Sequence, residues 1–469
     1  MSVYACLDEL EHWLNDYLNF EKTPQKNIFW LDTMQFLCRT FSHPERHAPC
    51  FHVAGSKGKG SVSAFISAIL EEAGNKTGLY TSPHILDFVE RIGGAHAPFA
   101  ESVYQAASDE MRATIDALPQ DALPAGRRLT WFELVTLYAF LCFKHANVSY
   151  SVFEVGLGGR LDSTNVIQPV ACCITPIERE HTEFLGNTVE EIAAEKGGII
   201  KAGVPVFSAA QEPSVQRVFE RIATEKKAPL TVMSPQLVQI QNCYQKQDEA
   251  HACRMEVTLT SSLFSRPLTA GLQLFGNFQA QNAALAAVTV KSVLPTIDEK
   301  AIERGLAHAR LPGRFEWYEP HTLLRAGFAG IQALVLDGAH TVNSVRFTLE
   351  TFADVFKNHA SSPAHLLFAC AADKDMRDIA LLFAENKRFS HITLTRPGAV
   401  KQSNLPLLES AFKDAGLFFT CTDDYEKAIS LALKKAHDEH ALLLATGSFY
   451  LLAEIKKYLQ RQIPAAPAL

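Results

Sequence analysis

The chain has 469 residues, more than one hydrophobic core usually serves, so two domains are the expectation. Apolar residues make up 47% and charged residues 20%, a composition that excludes a disordered or fibrous chain. A formal net charge of −7 with no long basic run excludes nucleic acid or an anionic membrane surface as the main partner.

The N-terminal stretch MSVYACLDELEHWLNDYL reads as an amphipathic helix rather than a signal peptide, because no Lys or Arg precedes Lys22. From residue 50 to about 210, strand-length apolar runs alternate with helical patterns. CFHVA (50–54) precedes a helix from Ser61 to about Ala73 and the run TGLYTS (77–82). A helix over 131–145 contains the most apolar stretch, LVTLYAFLCF, which is about half of a membrane span. Strands VSYSVFEV (148–155) and VACCITPI (170–177), a helix over 188–201 and the strand VPVFSA (204–209) follow. Such alternation predicts a mostly parallel sheet covered by helices. Between about 228 and 275 the period changes to two, predicting an antiparallel hairpin region at the sheet edge. Helices over 279–294 and 298–309 close this half.

The Pro-Gly pair in LPGRF (311–315) marks a linker, so the expected division is 1–310 and 311–469. Beyond it, ALVLD, HLLFACA, HITLTRP, LFFT and ALLLATG alternate with helices, which predicts a second α/β domain with five strands. Ten cysteines occur without a Cys-x-x-Cys pair, so no disulfide framework or zinc site is expected; reduced thiols and the absence of a leader suit a cytoplasmic protein.

The stretch HVAGSKGKGS (52–61) lies between a buried strand and a helix. A glycine-rich turn there frees backbone N–H groups for phosphate oxygens, with Lys59 adding charge and Ser61 a hydroxyl suited to Mg²⁺. The spacing differs from the strict P-loop, since only two residues separate Gly55 from Gly58-Lys59 and Gly60 stands between Lys59 and Ser61. The motif points to ATP or GTP and leaves the acceptor open, beside the plainer reading of a flexible turn with chance lysines. Glu154 and His181 follow successive strands, where a carboxylate and an imidazole together suit a metal serving the nucleotide; alone, each would be structural. Lys196, on an acidic and apolar helix, reads from the residues alone as a solvated surface lysine.

HVAGSKGKGS, LYTSPHILDFVERI, FEVGLGGRLDSTN, HTEFLGNTVEEIAAEKGGIIKAGVPV, LPGRFE and LDGAHTVNS occur in the order and spacing of the folylpolyglutamate synthases, with dihydrofolate synthases as near relatives, in the Mur ligase superfamily. The chain resembles that family from about residue 28 to its last helix. The resemblance implies a P-loop ATPase-like domain with a mostly parallel sheet and a C-terminal Rossmann-like α/β domain. It implies ATP-driven joining of L-glutamate to a folate, with dihydropteroate as the acceptor in the dihydrofolate synthase or bifunctional alternative, and action as a monomer. Gly55, Ser56, Lys57, Gly58, Lys59, Gly60 and Ser61 match the nucleotide loop. Asn282 matches a group near the adenine, and Arg314, Asp337 and His340 match groups that reach the nucleotide. Ser61, Glu154 and His181 match Mg²⁺ ligands, and Lys196 matches a lysine carbamylated in several relatives, which replaces the surface reading. Lys59, His181, Lys196 and Asp337 are the catalytic candidates, Asp337 as orienting group or base unless it caps the following helix. Thr81, Ser82, Pro83 and His84 match the loop beside the pterin. Ser56 stands where Thr is usual and Glu180 where Asp is usual. Arg91 and Arg160 are candidates for folate carboxylates, against the simpler role of surface ion pairs.

Overall fold

Central strands buried along their whole length organise two large sheets flanked by helices, and a third, three-stranded sheet falls between them in chain order. The computed structural model describes residues 4–20, 30–119, 121–245, 254–318, 320–399 and 402–463. The centre of the period-two region (246–253) and the Pro/Ala tail lie outside them. The chain divides into two compact units, the first comprising 1–243, 256–273 and 278–310, the second 244–255, 274–277 and 311–469.

In the first unit, strands β1 (Cys50–Ala54), β2 (Thr77–Tyr80), β3 (Ile92–Gly93), β4 (Tyr150–Glu154), β5 (Ala171–Ile174), β6 (Val206–Ser208) and β7 (Leu230–Val232) form one sheet in the order β3-β2-β4-β1-β5-β6-β7. All neighbours are parallel except β2 and β3. The central β1 is buried at every residue, as CFHVA demands. Val53 stands opposite Glu154, and Ala54 opposite Ile174, so β4, β1 and β5 end side by side. Chain order reverses across β1, and open α/β sheets bind ligands at the carboxyl ends of strands at such a switch.

Helix Trp131–Ala146 begins with a capping box in which Thr130 and Glu133 satisfy each other's backbone N–H. It is buried almost all round because it packs in the core that also takes Leu7, Leu10 and Leu14 of the N-terminal helix Ala5–Leu14. The expected hairpin is not at the edge of this sheet, which ends in β7. Instead β8 (Gln239–Gln245), β9 (Arg254–Thr260) and β10 (Leu268–Leu272) form their own three-stranded sheet. Met255, Val257 and Leu259 give it a buried face of its own strands' making.

In the second unit, β11 (Glu316–Tyr318), β12 (Ala333–Asp337), β13 (Ala364–Phe368), β14 (His391–Leu394), β15 (Thr420–Cys421) and β16 (Leu442–Thr446) run in the order β11-β12-β16-β13-β14-β15. Five strands are parallel, and β11 joins β12 antiparallel directly after the linker. This short strand, EWY, carries no periodic signal. Asp337 and Thr446 are in register, so the loops after β12 and β16 emerge together.

Candidate active site

The turn after β1 leads into helix Lys59–Glu72. A Cβ at Gly55 would fall 1.8 Å from Thr175 Oγ1, and one at Gly58, where φ is +91°, would fall 2.7 Å from Asn282 Oδ1. Both positions therefore require glycine, and Asn282 lies against the turn. The cradle is narrower than the sequence suggests. Ser56 and Lys57 N–H groups donate to Pro176 O at 3.0 and 3.4 Å, stitching the turn to the loop after β5. Ser56 Oγ donates to Glu178 O at 3.2 Å and accepts from Glu178 N at 3.0 Å. The first helical bond runs from Val62 N to Gly58 O, so the N–H groups of Lys59, Gly60 and Ser61 precede the helical ladder. With the helix dipole, that end offers positive potential to an anion.

Around this turn the charged groups converge on Glu180. Lys196 arrives on helix Val189–Gly197, which the capping box of Thr188 and Glu191 starts. It is not a surface lysine: its side chain is 2% exposed, and Nζ lies 3.0 Å from Glu180 Oε1 and donates to Gly55 O at 2.9 Å. The helix that looked acidic and apolar turns this one polar group inward. Burial, and then the charge of Lys59, push the Lys196 ammonium down to about 8 against the pull of Glu180. Burial alone would raise Glu180, but Lys196, Lys59, Lys57 and His181 overcome it and hold the carboxylate at about 2. Lys57 Nζ is 3.8 Å from the second Glu180 oxygen. The sequence gives Glu180 only as a departure from Asp; its place beside His181 is the one signal for its role.

Glu154 is buried at the end of β4 and accepts from Ser82 N at 3.1 Å, which brings the Thr81–His84 stretch to the same sheet edge. That loop closes on itself: Glu90 accepts the N–H groups of Ile85, Leu86 and Asp87, and Thr81 N donates to Arg91 O at 3.0 Å. Arg91 is no surface ion pair. It is 2% exposed, donates from Nε to His84 Nδ1 at 2.7 Å and lies over the Trp131 ring at 4.8 Å. Arg160 does form the plain ion pair, to Glu195 at 2.9 Å. His181 opens the short helix Thr182–Leu185 with φ +47°, a left-handed backbone rare outside glycine. Among the described residues no three His, Cys, Asp or Glu side chains are grouped to hold a metal; the expected set has only Glu154 and His181 of those types.

Two positioning groups went unread. Asp162 accepts the N–H groups of Gly156 and Leu157 at 3.0 and 2.9 Å and so shapes the turn behind Glu154. Its other oxygen takes Thr164 N, and Thr164 Oγ1 in turn meets the buried His52 Nε2 at 2.8 Å. Gln211 bonds Thr175 O and Ile177 N, bracing the loop whose Pro176 carbonyl holds the glycine turn. Gln211 lies 34 residues from Ile177, beyond the reach of any local pattern.

In the second unit Asp337 ends β12, and its oxygens accept from Phe315 N at 2.7 Å, Ala339 N at 2.8 Å and Thr348 Oγ1 at 3.1 Å. It does not cap the following helix; Thr341 does, in a capping box with Ser344. Burial raises the Asp337 carboxyl against the opposing effects of Arg314 and these donors. Arg314 lies over the Phe449 ring at 4.4 Å, and His340 meets that ring edge-on at 6.2 Å while Nδ1 donates to Gly338 O at 2.7 Å. Arg314, Asp337 and His340 thus form one cluster in this unit.

Residues 53–290 match the Mur ligase middle domain, and residues 313–449 the Mur ligase glutamate ligase domain. A dihydrofolate synthase/folylpolyglutamate synthase of Bacillus subtilis is 31% identical over 98% of this chain and 100% of its own. The crystal structure of folylpolyglutamate synthase from Thermotoga maritima is similar with a TM-score of 0.76 and 26% identity, covering 97% of this chain and 96% of that one. The Mycobacterium tuberculosis enzyme complexed with ADP shares the fold at a TM-score of 0.81 and 24% identity, over 97% and 98% of the two chains. Two domain matches and an end-to-end relative leave one placement: the chain belongs to the Mur ligase family, on the branch of the folylpolyglutamate and dihydrofolate synthases.

Proposed function

We propose that this chain joins L-glutamate to the terminal carboxylate of a folate, driven by ATP and passing through an acyl phosphate. The observation that carries the reading is likeness to a named synthase along both chains from end to end. The glycine turn supports it, because a helix end, Lys59 and the neighbouring cations suit phosphate oxygens. A carboxylate resists an amine because oxide would have to leave. Transfer of the γ-phosphoryl to that carboxylate releases ADP and turns the leaving group into phosphate. The glutamate α-amine then forms the C–N bond as the C–O bond to phosphate breaks, and the amine gives up its proton.

In this reading Lys59 offsets charge on the transferring phosphoryl, Gly58, Lys59, Gly60 and Ser61 present N–H groups to it, and Gly55, Ser56 and Lys57 set the turn. Asn282 is the group assigned to the adenine, and Arg314, Asp337 and His340 are further groups assigned to the nucleotide. Thr81, Ser82, Pro83 and His84 flank the pterin. The donor set fits Mg²⁺ in kind: Ser61 and the buried Glu154 offer the hard oxygens that ion prefers, and His181 is the third group assigned to it. When bound, the ion offsets phosphate charge. A carbamate on Lys196 would add a carboxylate, and the lowered Lys196 holds more of the neutral amine that takes up carbon dioxide than an ordinary lysine does. Small-molecule substrates, action as a monomer and a cytoplasmic site belong to the same reading; no helix among the described residues is long and apolar enough to cross a membrane.

The double name of the Bacillus relative favours a second reading, the same chemistry on dihydropteroate, alone or in addition. ADP release measured with ATP, glutamate and either acceptor tests both. Release that needs glutamate and tetrahydrofolate supports the first, release with dihydropteroate supports the second, and none with either acceptor sinks both.

A further inference from the structure

We infer that Phe449 and Lys456, on one stripe of the last helix, are positioning residues that fix the guanidinium of Arg314; this rests on the reading of Arg314 as a nucleotide group. The backbone around Arg314 is locked within the second unit. Gly313 N donates to Glu316 Oε2 at 2.8 Å, Gly338 N donates to Gly313 O at 2.9 Å, and Phe315 N is held by Asp337. A fixed backbone does not fix an arginine head, which has several rotors beyond Cβ and is placed by what it rests on. Here it rests on Phe449, at 4.4 Å from Cζ to the ring centroid.

The ring is itself wedged. A Cβ at Gly338 would fall 2.2 Å from Phe449 Cε1, so the strand turn lies flush against the ring, and His340 meets it edge-on. Phe449 opens helix Phe449–Gln462, which Ser448 caps by accepting from Tyr450 N at 3.2 Å. Seven residues on, two helical turns along the same stripe, Lys456 places Nζ 2.7 Å from Glu316 Oε1 with its side chain 10% exposed. Glu316 uses its other oxygen on Gly313 N. One helix therefore grips the turn bearing Arg314 twice, by a ring under the guanidinium and by an ammonium on the carboxylate that holds Gly313. In this inference Phe449 acts on the guanidinium directly and Lys456 through the turn that carries Arg314.

Steady-state kinetics of the full chain with ATP varied, alongside thermal melting, test the inference. Phe449→Leu is expected to lower kcat/KM for ATP about tenfold, the scale of a desolvated cation–π contact, and Phe449→Tyr, which keeps the ring face, to recover most of that loss. In an Arg314→Ala background, Phe449→Leu and Lys456→Met should each cost less than about twofold further, because the group they place is gone. Losses that multiply in the double variants overturn the inference whatever the melting temperatures do. If Phe449→Leu does not fold, Lys456→Met and its double variant carry the test alone. Parent-like kinetics for Arg314→Ala would instead overturn the reading of Arg314 itself.

Discussion

The two sheet edges hold their polar groups by opposite means. After β1 and β5, Glu180 is held by charge, drawn below the usual carboxylate range by lysines that the sequence scatters from position 57 to 196. After β12, Asp337 is held by hydrogen bonds from two backbone N–H groups and a hydroxyl, and its carboxyl is raised by burial. A cluster of three lysines around a single carboxylate keeps unspent positive charge, which suits a polyanion. A carboxylate whose oxygens are spent on its own backbone sets geometry instead. On the proposed reading the first edge is the one that would hold phosphate, while Asp337 at the second fixes the turns that carry Arg314 and His340.

Substitutions sharpen or break the contrast. Lys59→Ala should lower turnover about a thousandfold in an ADP-release assay, since the cation proposed to offset charge on the transferring phosphoryl is lost; parent-like turnover would remove charge from the account. Lys196→Met should cost about 3 kcal/mol in denaturant unfolding, because it breaks the Glu180 ion pair whose lysine is 2% exposed. Asp337→Asn should cost about 2 kcal/mol, as an amide N–H₂ replaces one oxygen that accepts from a backbone donor. If its loss appeared in kcat with unchanged stability, Asp337 would be a base rather than a positioning group. Smallest, Lys57→Asn should change stability by less than about 1 kcal/mol, given a 3.8 Å contact and a side chain that is 29% exposed.

A pH series separates the edges further. Burial, and then Lys201, push His52 in β1 down to about 3. The unfolded chain takes up that proton near the ordinary histidine value and the folded chain does not, so the stability His52 contributes is present above the ordinary value and is lost as pH falls from there toward 3. Melting at pH 5 against pH 7.5 should show a loss of about 2 kcal/mol, reduced in His52→Gln. An equal loss in the variant would assign the effect elsewhere.

Much of this arrangement was legible beforehand. CFHVA, SVFEV and ALVLD are runs that only a buried strand accommodates, and the glycine turn after the first of them announced itself. What escaped depends on distance along the chain. From its residues alone Lys196 reads as a surface residue because its helix is short and acidic; the family resemblance moves it to the site, and the fold adds that Gly55 and Glu180 wait on its inner side. The period-two stretch gave its alternation but not its sheet, since alternation fixes which face is buried and not against what. Gln211 and Phe449 had no motif, because each acts on backbone remote in the chain, and Asp162, though inside FEVGLGGRLDSTN, shows its role only once the turn it closes is seen.

The central claim is carboxyl activation by ATP followed by capture with glutamate. Mass spectrometry of products from ATP, L-glutamate and either tetrahydrofolate or dihydropteroate tests it most directly. The account predicts an acceptor heavier by a glutamyl residue, with ADP formed in step. ATP turned over with both acceptors left at their starting mass would contradict it.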